Sequence, residues 1–100
     1  MYCKTFRYKL KPDKLSSVIE ISKRIDSQMR SFSEDFQKYT LIREIQDHLE
    51  ILELYFFEDW DSWRRLMEKT SSDSRLEELW ENFERLIEGE VSEEDWELLE

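Results

Sequence analysis

Glycine, proline, cysteine and histidine are each present only once in this sequence of 100 residues. The single glycine, Gly89, cannot form a phosphate-binding loop, which needs several glycines at fixed spacing. The single cysteine, Cys3, cannot form an internal disulfide, and the single histidine, His48, cannot supply the clustered ligands of a typical zinc site. We therefore expect no metal and no cofactor.

Positive charge is also scarce, with 15 Lys and Arg against 25 Asp and Glu, a formal charge of -10. Such a field repels phosphate backbones and anionic lipid, so neither nucleic acid nor a membrane surface is an expected partner. The apolar stretches are only a few residues long, and residues 1–11 alternate instead of forming an apolar block. We expect neither a signal peptide nor a membrane-spanning helix, and a cytoplasmic location.

The length and the composition predict a single folded α+β domain over residues 1–100. Hydrophobic residues make up 39% and charged residues 40% of the chain, and 14% of the residues are aromatic. This composition is typical of a folded domain and not of a disordered segment.

The first half of the chain predicts a strand, a helix and a hairpin. Tyr2 to Leu10 alternate in polarity, and apolar residues at helical spacing then predict a helix from about Asp13 to about Ser31. Two further strands are predicted from Tyr39 to about Gln46 and from Leu49 to Phe57, joined by a turn at Asp47 and His48.

The predicted third strand, Leu49 to Phe57, carries apolar side chains on both faces along most of its length. A strand of this kind needs cover on both sides. The predicted helices can cover one face, and nothing else in a chain this short can cover the other, so we expect a homodimer.

The second half of the chain predicts a broken helix and an ambiguous tail. Asp59 is a suitable N-cap, residues 71–74 interrupt the helix, and an apolar stripe from Leu76 to Ile87 ends at Gly89, where we expect a left-handed C-cap. Residues 91–100 fit a helix start and a strand equally well.

The element order and one local run resemble the dimeric α+β barrel superfamily, which includes the antibiotic biosynthesis monooxygenases and the NIPSNAP proteins. The run Leu52-Glu53-Leu54-Tyr55-Phe56-Phe57-Glu58-Asp59-Trp60-Asp61-Ser62-Trp63 is similar to the end of the third strand and the start of the following helix in that group. The resemblance implies a ferredoxin-like β-α-β-β-α-(β) fold with an antiparallel sheet, a dimer whose sheets pack face to face, and a fourth strand from Glu94 to Leu99.

The resemblance also bears on chemistry. Haem-degrading members use a histidine on the helix after the third strand, where this chain has Met67 and Glu68, so haem is not expected. Cofactor-independent oxygenation would need a closed hydrophobic cavity, lined by aromatic residues, with one or two polar groups inside. We assign no catalytic residue.

Four strand residues interrupt the apolar faces and are candidates for ligand binding: Lys4, Arg43, Glu53 and Tyr55. The alternative is that Lys4 or Arg43 forms an ion pair with Glu53 or Glu44 on a neighbouring strand, or lies at the rim of the dimer interface. The four tryptophans, Trp60, Trp63, Trp80 and Trp96, could line one pocket, but their spacing favours packing.

Three functions follow from these observations. The first is a small homodimeric α+β barrel protein that acts as a binding or accessory module, with a small hydrophobic or aromatic molecule as a possible ligand. The second is a cofactor-independent monooxygenase acting on an aromatic or polyketide-like compound, implied by the resemblance alone. The third is an assembly partner whose apolar sheet face contacts a different protein.

Overall fold

A computed structural model describes residues 1–99. The elements are, in chain order, β1 (Tyr2–Leu10), a 3₁₀ turn (Pro12–Lys14), α1 (Leu15–Arg30), β2 (Gln37–Ile45), β3 (His48–Phe57), α2 (Trp60–Thr70), α3 (Ser74–Glu84) and β4 (Glu88–Glu97). The four strands form one antiparallel sheet in the order β2-β3-β1-β4. This is the α+β, ferredoxin-like fold that the sequence predicts.

The register of the central strands fixes the two faces of the sheet. Tyr2 of β1 pairs with Phe57 of β3, and Leu10 pairs with Leu49 at the other end. Because side chains alternate along a strand, Tyr8 and Leu10 share a face with Ile51 of β3. The three helices cover this face, which we call the inner face.

The hydrophobic core lies between the inner face and the helices. Its most completely buried side chains are Phe83, Leu10, Ile51 and Val18. The space under α2 and α3 is filled by Trp63 and Leu66, both buried, together with Phe83. None of the helices within residues 1–99 is long and apolar enough to cross a bilayer.

Aspartate side chains cap the starts of α2 and α3, and the cap at Asp59 is the one that the sequence predicts. Asp59 accepts a hydrogen bond from the backbone N–H of Ser62 at 2.7 Å, and Asp73 accepts one from Leu76 at 3.0 Å. Each aspartate satisfies a donor that the first helical turn would leave unpaired. The predicted interruption between the two helices is confirmed, except that Ser74, the last of its predicted residues, is the first residue of α3.

The hairpin turn lies one residue earlier than the sequence predicts. The turn residues are Gln46 and Asp47, while His48 already pairs with Ile45 as the first residue of β3. Gln46 adopts a positive φ of 54°, a conformation that two-residue hairpin turns often require. The prediction of His48 as a turn residue is therefore wrong.

The prediction that Gly89 ends the last helix is also wrong. α3 ends at Glu84, and Gly89 lies inside β4 with a φ of 72°. Arg7 pairs with Ser92 and Lys9 with Glu88, so the register with β1 shifts at this point. Gly89 supplies the left-handed conformation for this bulge instead of a C-cap.

The tail that local sequence left undecided is a strand. β4 pairs antiparallel with β1 and begins at Glu88, earlier than the expected start at Glu94. The last residue of the predicted tail, Glu100, lies outside the described residues.

Candidate functional site

A buried ionic cluster joins α1 to the inner face of the sheet. The Nζ atom of Lys38 on β2 lies 2.6 Å from Oε1 of Glu53 on β3, and 2.7 Å from each carboxylate oxygen of Asp26 on α1. The Lys38 ammonium also donates to Oγ of Ser22 at 3.0 Å, and the Ser22 hydroxyl donates to Oε1 of Glu53 at 2.8 Å. These partners account for all three N–H bonds of the ammonium.

Burial makes this cluster different from a surface ion pair. The side chains of Lys38 and Glu53 are each only 6% exposed, whereas that of Asp26 is 22% exposed. Charges removed from water are retained only where partners satisfy them. Asp26 is therefore the member of the cluster that a molecule from solvent can reach most easily.

Two tyrosines lie beside the cluster. The Tyr55 hydroxyl donates to Oδ1 of Asp26 at 3.2 Å, and the Lys38 ammonium lies 5.3 Å from the centre of the Tyr55 ring. Burial and the nearby carboxylates of Glu53 and Asp26 raise the pKa of both Tyr55 and Tyr8. Both phenols therefore stay neutral and act as hydrogen-bond donors at neutral pH.

The charges of the cluster do not balance, because two carboxylates share one ammonium. Burial raises the pKa of Asp26, and the nearby Glu53 carboxylate adds to the rise, although Lys38 and the Tyr55 hydrogen bond oppose it. The ionised Asp26 carboxylate is therefore only partly compensated in the folded chain.

The cluster opens into a groove between α1 and β2, which we call the α1–β2 groove, with a volume of about 440 Å³. Its rim includes Ile19 and Ile42, which are 42% and 51% exposed, so the groove is open to solvent. The residues that line it are Tyr8, Leu15, Val18, Ile19, Ser22, Lys23, Asp26, Arg30, Lys38, Thr40, Ile42 and Ile51. One end of the groove is aliphatic and the other is polar.

Two of the four predicted ligand-binding residues meet at this cluster, and two lie elsewhere. Glu53 and Tyr55 both face α1. Lys4 lies on the same face as Tyr55 but next to β4, where its Nζ atom is 2.8 Å from Asp95 and 3.5 Å from Glu93. Arg43 lies on the opposite face, where its Nε donates to Glu50 at 2.7 Å.

The expectation that Lys4 or Arg43 pairs with Glu53 or Glu44 is therefore wrong, because the sheet order gives each cation a different acidic neighbour. Burial lowers the pKa of Lys4, but its bonds to Asp95 and Glu93 outweigh that effect and raise it overall. Lys4 thus remains charged and ties β4 to β1.

Three members of the cluster, Lys38, Asp26 and Ser22, were not predicted from the sequence. Lys38 lies one residue before the predicted start of the second strand, because β2 begins at Gln37. Ser22 and Asp26 are four residues apart on α1 and therefore lie on one side of the helix. A polar pair at this spacing beside the buried Ile25 and Met29 was a signal for a polar contact with the sheet.

The other face of the sheet, the outer face, carries no helix. Leu52, Leu54 and Phe56 of β3 are half-buried there, and Tyr39 and Leu41 of β2 are each 56% exposed. The third strand is thus apolar on both sides, as predicted.

The tryptophans do not share one pocket. Trp63 is buried in the core and Trp80 packs against it, while Trp60 and Trp96 are exposed at separate places. Cys3 on the outer face is also buried, and burial raises the pKa of its thiol.

Within residues 1–99, no three His, Cys, Asp or Glu side chains lie close enough together to hold a metal ion. The imidazole Nε2 of His48 lies 2.7 Å from Oε2 of Glu88. This contact joins the hairpin to the start of β4, away from the α1–β2 groove.

Comparison with known proteins places the fold. No protein-family model matches the sequence, and no curated protein matches it significantly. Solved structures do match over nearly the whole chain. An uncharacterized NIPSNAP domain protein from Burkholderia xenovorans has a TM-score of 0.77 at 8% identity, covering 99% of this chain and 95% of that one.

Two further structures give the same result. A NIPSNAP family protein of unknown function from Agrobacterium tumefaciens has a TM-score of 0.72 at 17% identity, covering 95% of this chain and 85% of that one. SnoaB, a cofactor-independent oxygenase from Streptomyces nogalater, has a TM-score of 0.68 at 11% identity, covering 99% and 93%. The chain thus shares its fold with NIPSNAP domain proteins and antibiotic biosynthesis monooxygenase-like proteins, the groups that its sequence resembles.

Proposed function

We propose that this protein is a small homodimeric α+β barrel module that binds a small molecule in the α1–β2 groove. The observation that carries the proposal is the juxtaposition of the buried Lys38–Asp26–Glu53 cluster with a groove of about 440 Å³. Ligand sites combine apolar walls with a few well-placed polar groups. A buried charge that lines a groove, with a pKa displaced by its surroundings, is typical of a functional site.

The homodimer is supported by the outer face of the sheet. Leu52, Leu54 and Phe56 form an apolar row along β3, flanked by the exposed Tyr39 and Leu41 on β2. A contiguous apolar surface of this kind marks an interaction site. A second copy of the chain provides a surface of the same shape, and isologous pairing closes after two subunits.

The geometry gives less support to the cofactor-independent monooxygenase. Trp63, Leu66 and Phe83 fill the space under α2 and α3, and the α1–β2 groove is open to solvent, with Tyr8 as the one aromatic residue in its lining. The expected cavity was closed and aromatic, since a carbanion must be kept from water until it meets oxygen. SnoaB shares the fold of this chain, and a shared fold does not imply a shared reaction.

The groove is tested with a fragment library screened against the full chain by ligand-observed NMR. Thr40 lines the groove from the exposed part of β2, so Thr40→Trp should fill it without disturbing the core. Glu44→Trp is the matched control, because Glu44 follows four residues later on the same strand and does not line the groove. Binding lost in Thr40→Trp and kept in Glu44→Trp supports the proposal, whereas binding unaffected by Thr40→Trp, or no binding at all, contradicts it.

The homodimer is tested separately by sedimentation equilibrium at micromolar concentration. We expect about twice the chain mass of 12.5 kDa. A monomer would reject self-association and would favour the third hypothesis, in which the outer face contacts a different protein.

A further inference from the structure

We propose that the α1–β2 groove takes a zwitterionic α-amino acid with an apolar side chain, its ammonium on Asp26, its carboxylate on one of the two flanking cations, Lys23 or Arg30, and its side chain between the aliphatic walls. This inference rests on the proposed function, since it names the class of ligand for the same groove. It follows from the order of charges along α1 and from the two-ended character of the groove.

The ammonium site follows from the lone pairs of Asp26. A carboxylate offers about four acceptor positions. Oδ1 of Asp26 accepts from Lys38 and Tyr55, and Oδ2 accepts from Lys38. One position on Oδ2 remains for a further donor. A second cation there would balance the charge of the cluster, in which two carboxylates share the single Lys38 ammonium.

The carboxylate site follows from helical spacing. Lys23 precedes Asp26 by three residues and Arg30 follows it by four, so both side chains are its neighbours on the helix surface. Lys23, Asp26 and Arg30 all line the groove. An anionic group beside the ammonium of the ligand would therefore meet a cation on either side of Asp26.

Arg30 is held in place by Phe36, and this contact does not use all the N–H donors of its guanidinium. Its Nη1 donates to the carbonyl oxygen of Phe36 at 3.2 Å, and its guanidinium carbon lies 4.3 Å from the centre of the Phe36 ring. A guanidinium has five N–H bonds, so donors remain for a carboxylate. The contact with Phe36 orients them in advance, which lowers the entropic cost of binding.

The side-chain site is the aliphatic end of the groove. It is formed by Leu15, Val18 and Ile19 from α1 and by Ile42 and Ile51 from the sheet. Val18 and Ile51 are almost completely buried and form the floor, whereas Ile19 and Ile42 are exposed at the rim. An apolar side chain placed there would cover both exposed isoleucines, which supplies the hydrophobic part of the affinity.

The test compares three molecules that share one phenyl ring and differ in charge: L-phenylalanine, phenethylamine and 3-phenylpropanoate. Each is titrated into the full chain at neutral pH and low salt, and binding is followed by amide chemical-shift changes in NMR spectra. We expect L-phenylalanine to bind at least about tenfold more tightly than either analogue, because only it meets both charges. Asp26→Asn should reduce its affinity to about that of 3-phenylpropanoate.

The control is Glu20→Gln, which removes the same charge from the exposed side of α1, where Glu20 pairs with Arg24 at 2.6 Å. It should leave all three affinities unchanged. Tighter binding of phenethylamine or of 3-phenylpropanoate than of L-phenylalanine overturns the amino-acid assignment. If none of the three binds but fragments sensitive to Thr40→Trp do, the ligand class is wrong and the groove still functions. If no such fragment exists either, both proposals fail.

Discussion

Replacing Lys38 with methionine should destabilise the fold strongly at neutral pH and much less in mild acid. The substitution keeps a long apolar side chain of similar shape and removes the ammonium that both Asp26 and Glu53 contact at 2.6–2.7 Å. Breaking a buried ion pair by removing one partner typically costs about 3–5 kcal/mol. The total stability of a domain of this size is about 5–15 kcal/mol, so the loss is easily measured.

The chain can limit this cost by taking up a proton at Asp26. Lys38 is one of the groups that hold the pKa of Asp26 down against burial, so its removal raises that pKa further. Protonating a carboxyl whose ordinary pKa is 3.8 costs about 5 kcal/mol at pH 7.5 but only about 1.6 kcal/mol at pH 5. The deficit of Lys38→Met should therefore shrink between pH 7.5 and pH 5, by up to the difference of about 3 kcal/mol between these two protonation costs.

The assay is urea denaturation followed by circular dichroism at both pH values and at one fixed protein concentration. Arg24→Met is the control, because Arg24 contacts one acid, Glu20, and both side chains of this pair are more than 60% exposed. Its loss should stay below about 1 kcal/mol at either pH. If Lys38→Met costs no more than Arg24→Met at neutral pH, or if its deficit is the same in acid, the cluster does not stabilise the fold in this way.

Three further outcomes are expected. Since the pKa of Asp26 is raised in the folded state, the stability that Asp26 contributes is present below the ordinary pKa of 3.8 and is lost as the pH rises through the raised pKa. Asp26→Asn should remove this decline of stability with pH, as thermal melts at stepped pH values would show. Leu54→Lys places a charge in the apolar row of the outer face and should convert the proposed dimer to a folded monomer in sedimentation, whereas a Leu54→Lys variant that still sediments as a dimer would mean that another surface pairs. Gly89→Ala should lower the free energy of unfolding by about 1 kcal/mol in urea denaturation, because Gly89 has a φ of 72°. An added Cβ would meet nothing within 4 Å, so the cost comes from the backbone conformation, and Gly89→Asn should cost less.

The sequence was sufficient to predict the sheet and helices because their periodicities are strong. Tyr2 to Leu10 were predicted as a strand and form β1 with those bounds. The element boundaries that were predicted wrongly lie where pairing between distant strands decides where an element begins or ends. Gly89 is a good C-cap residue by local chemistry, but β4 must begin at Glu88 to pair with Lys9, and this pairing ends the helix earlier.

The candidate site was predicted only in part, for a related reason. Glu53 and Tyr55 are recognisable as polar interruptions of an apolar strand, and they do lie at the ionic cluster. Their partners come from β2 and α1, and which cation meets which acid depends on the strand order. Alternation within a strand gives the face of Lys4, but only the sheet order gives its pairing with Asp95.

The position of β1 at the centre of the sheet constrains how the chain is made. Its first neighbour, β3, lies about 50 residues downstream, and its second, β4, lies about 90 residues downstream. During synthesis β1 therefore leaves the ribosome long before either neighbour exists. Its apolar side chains, Phe6, Tyr8 and Leu10, must pack against α1 or a chaperone until β3 and then β4 have been synthesised.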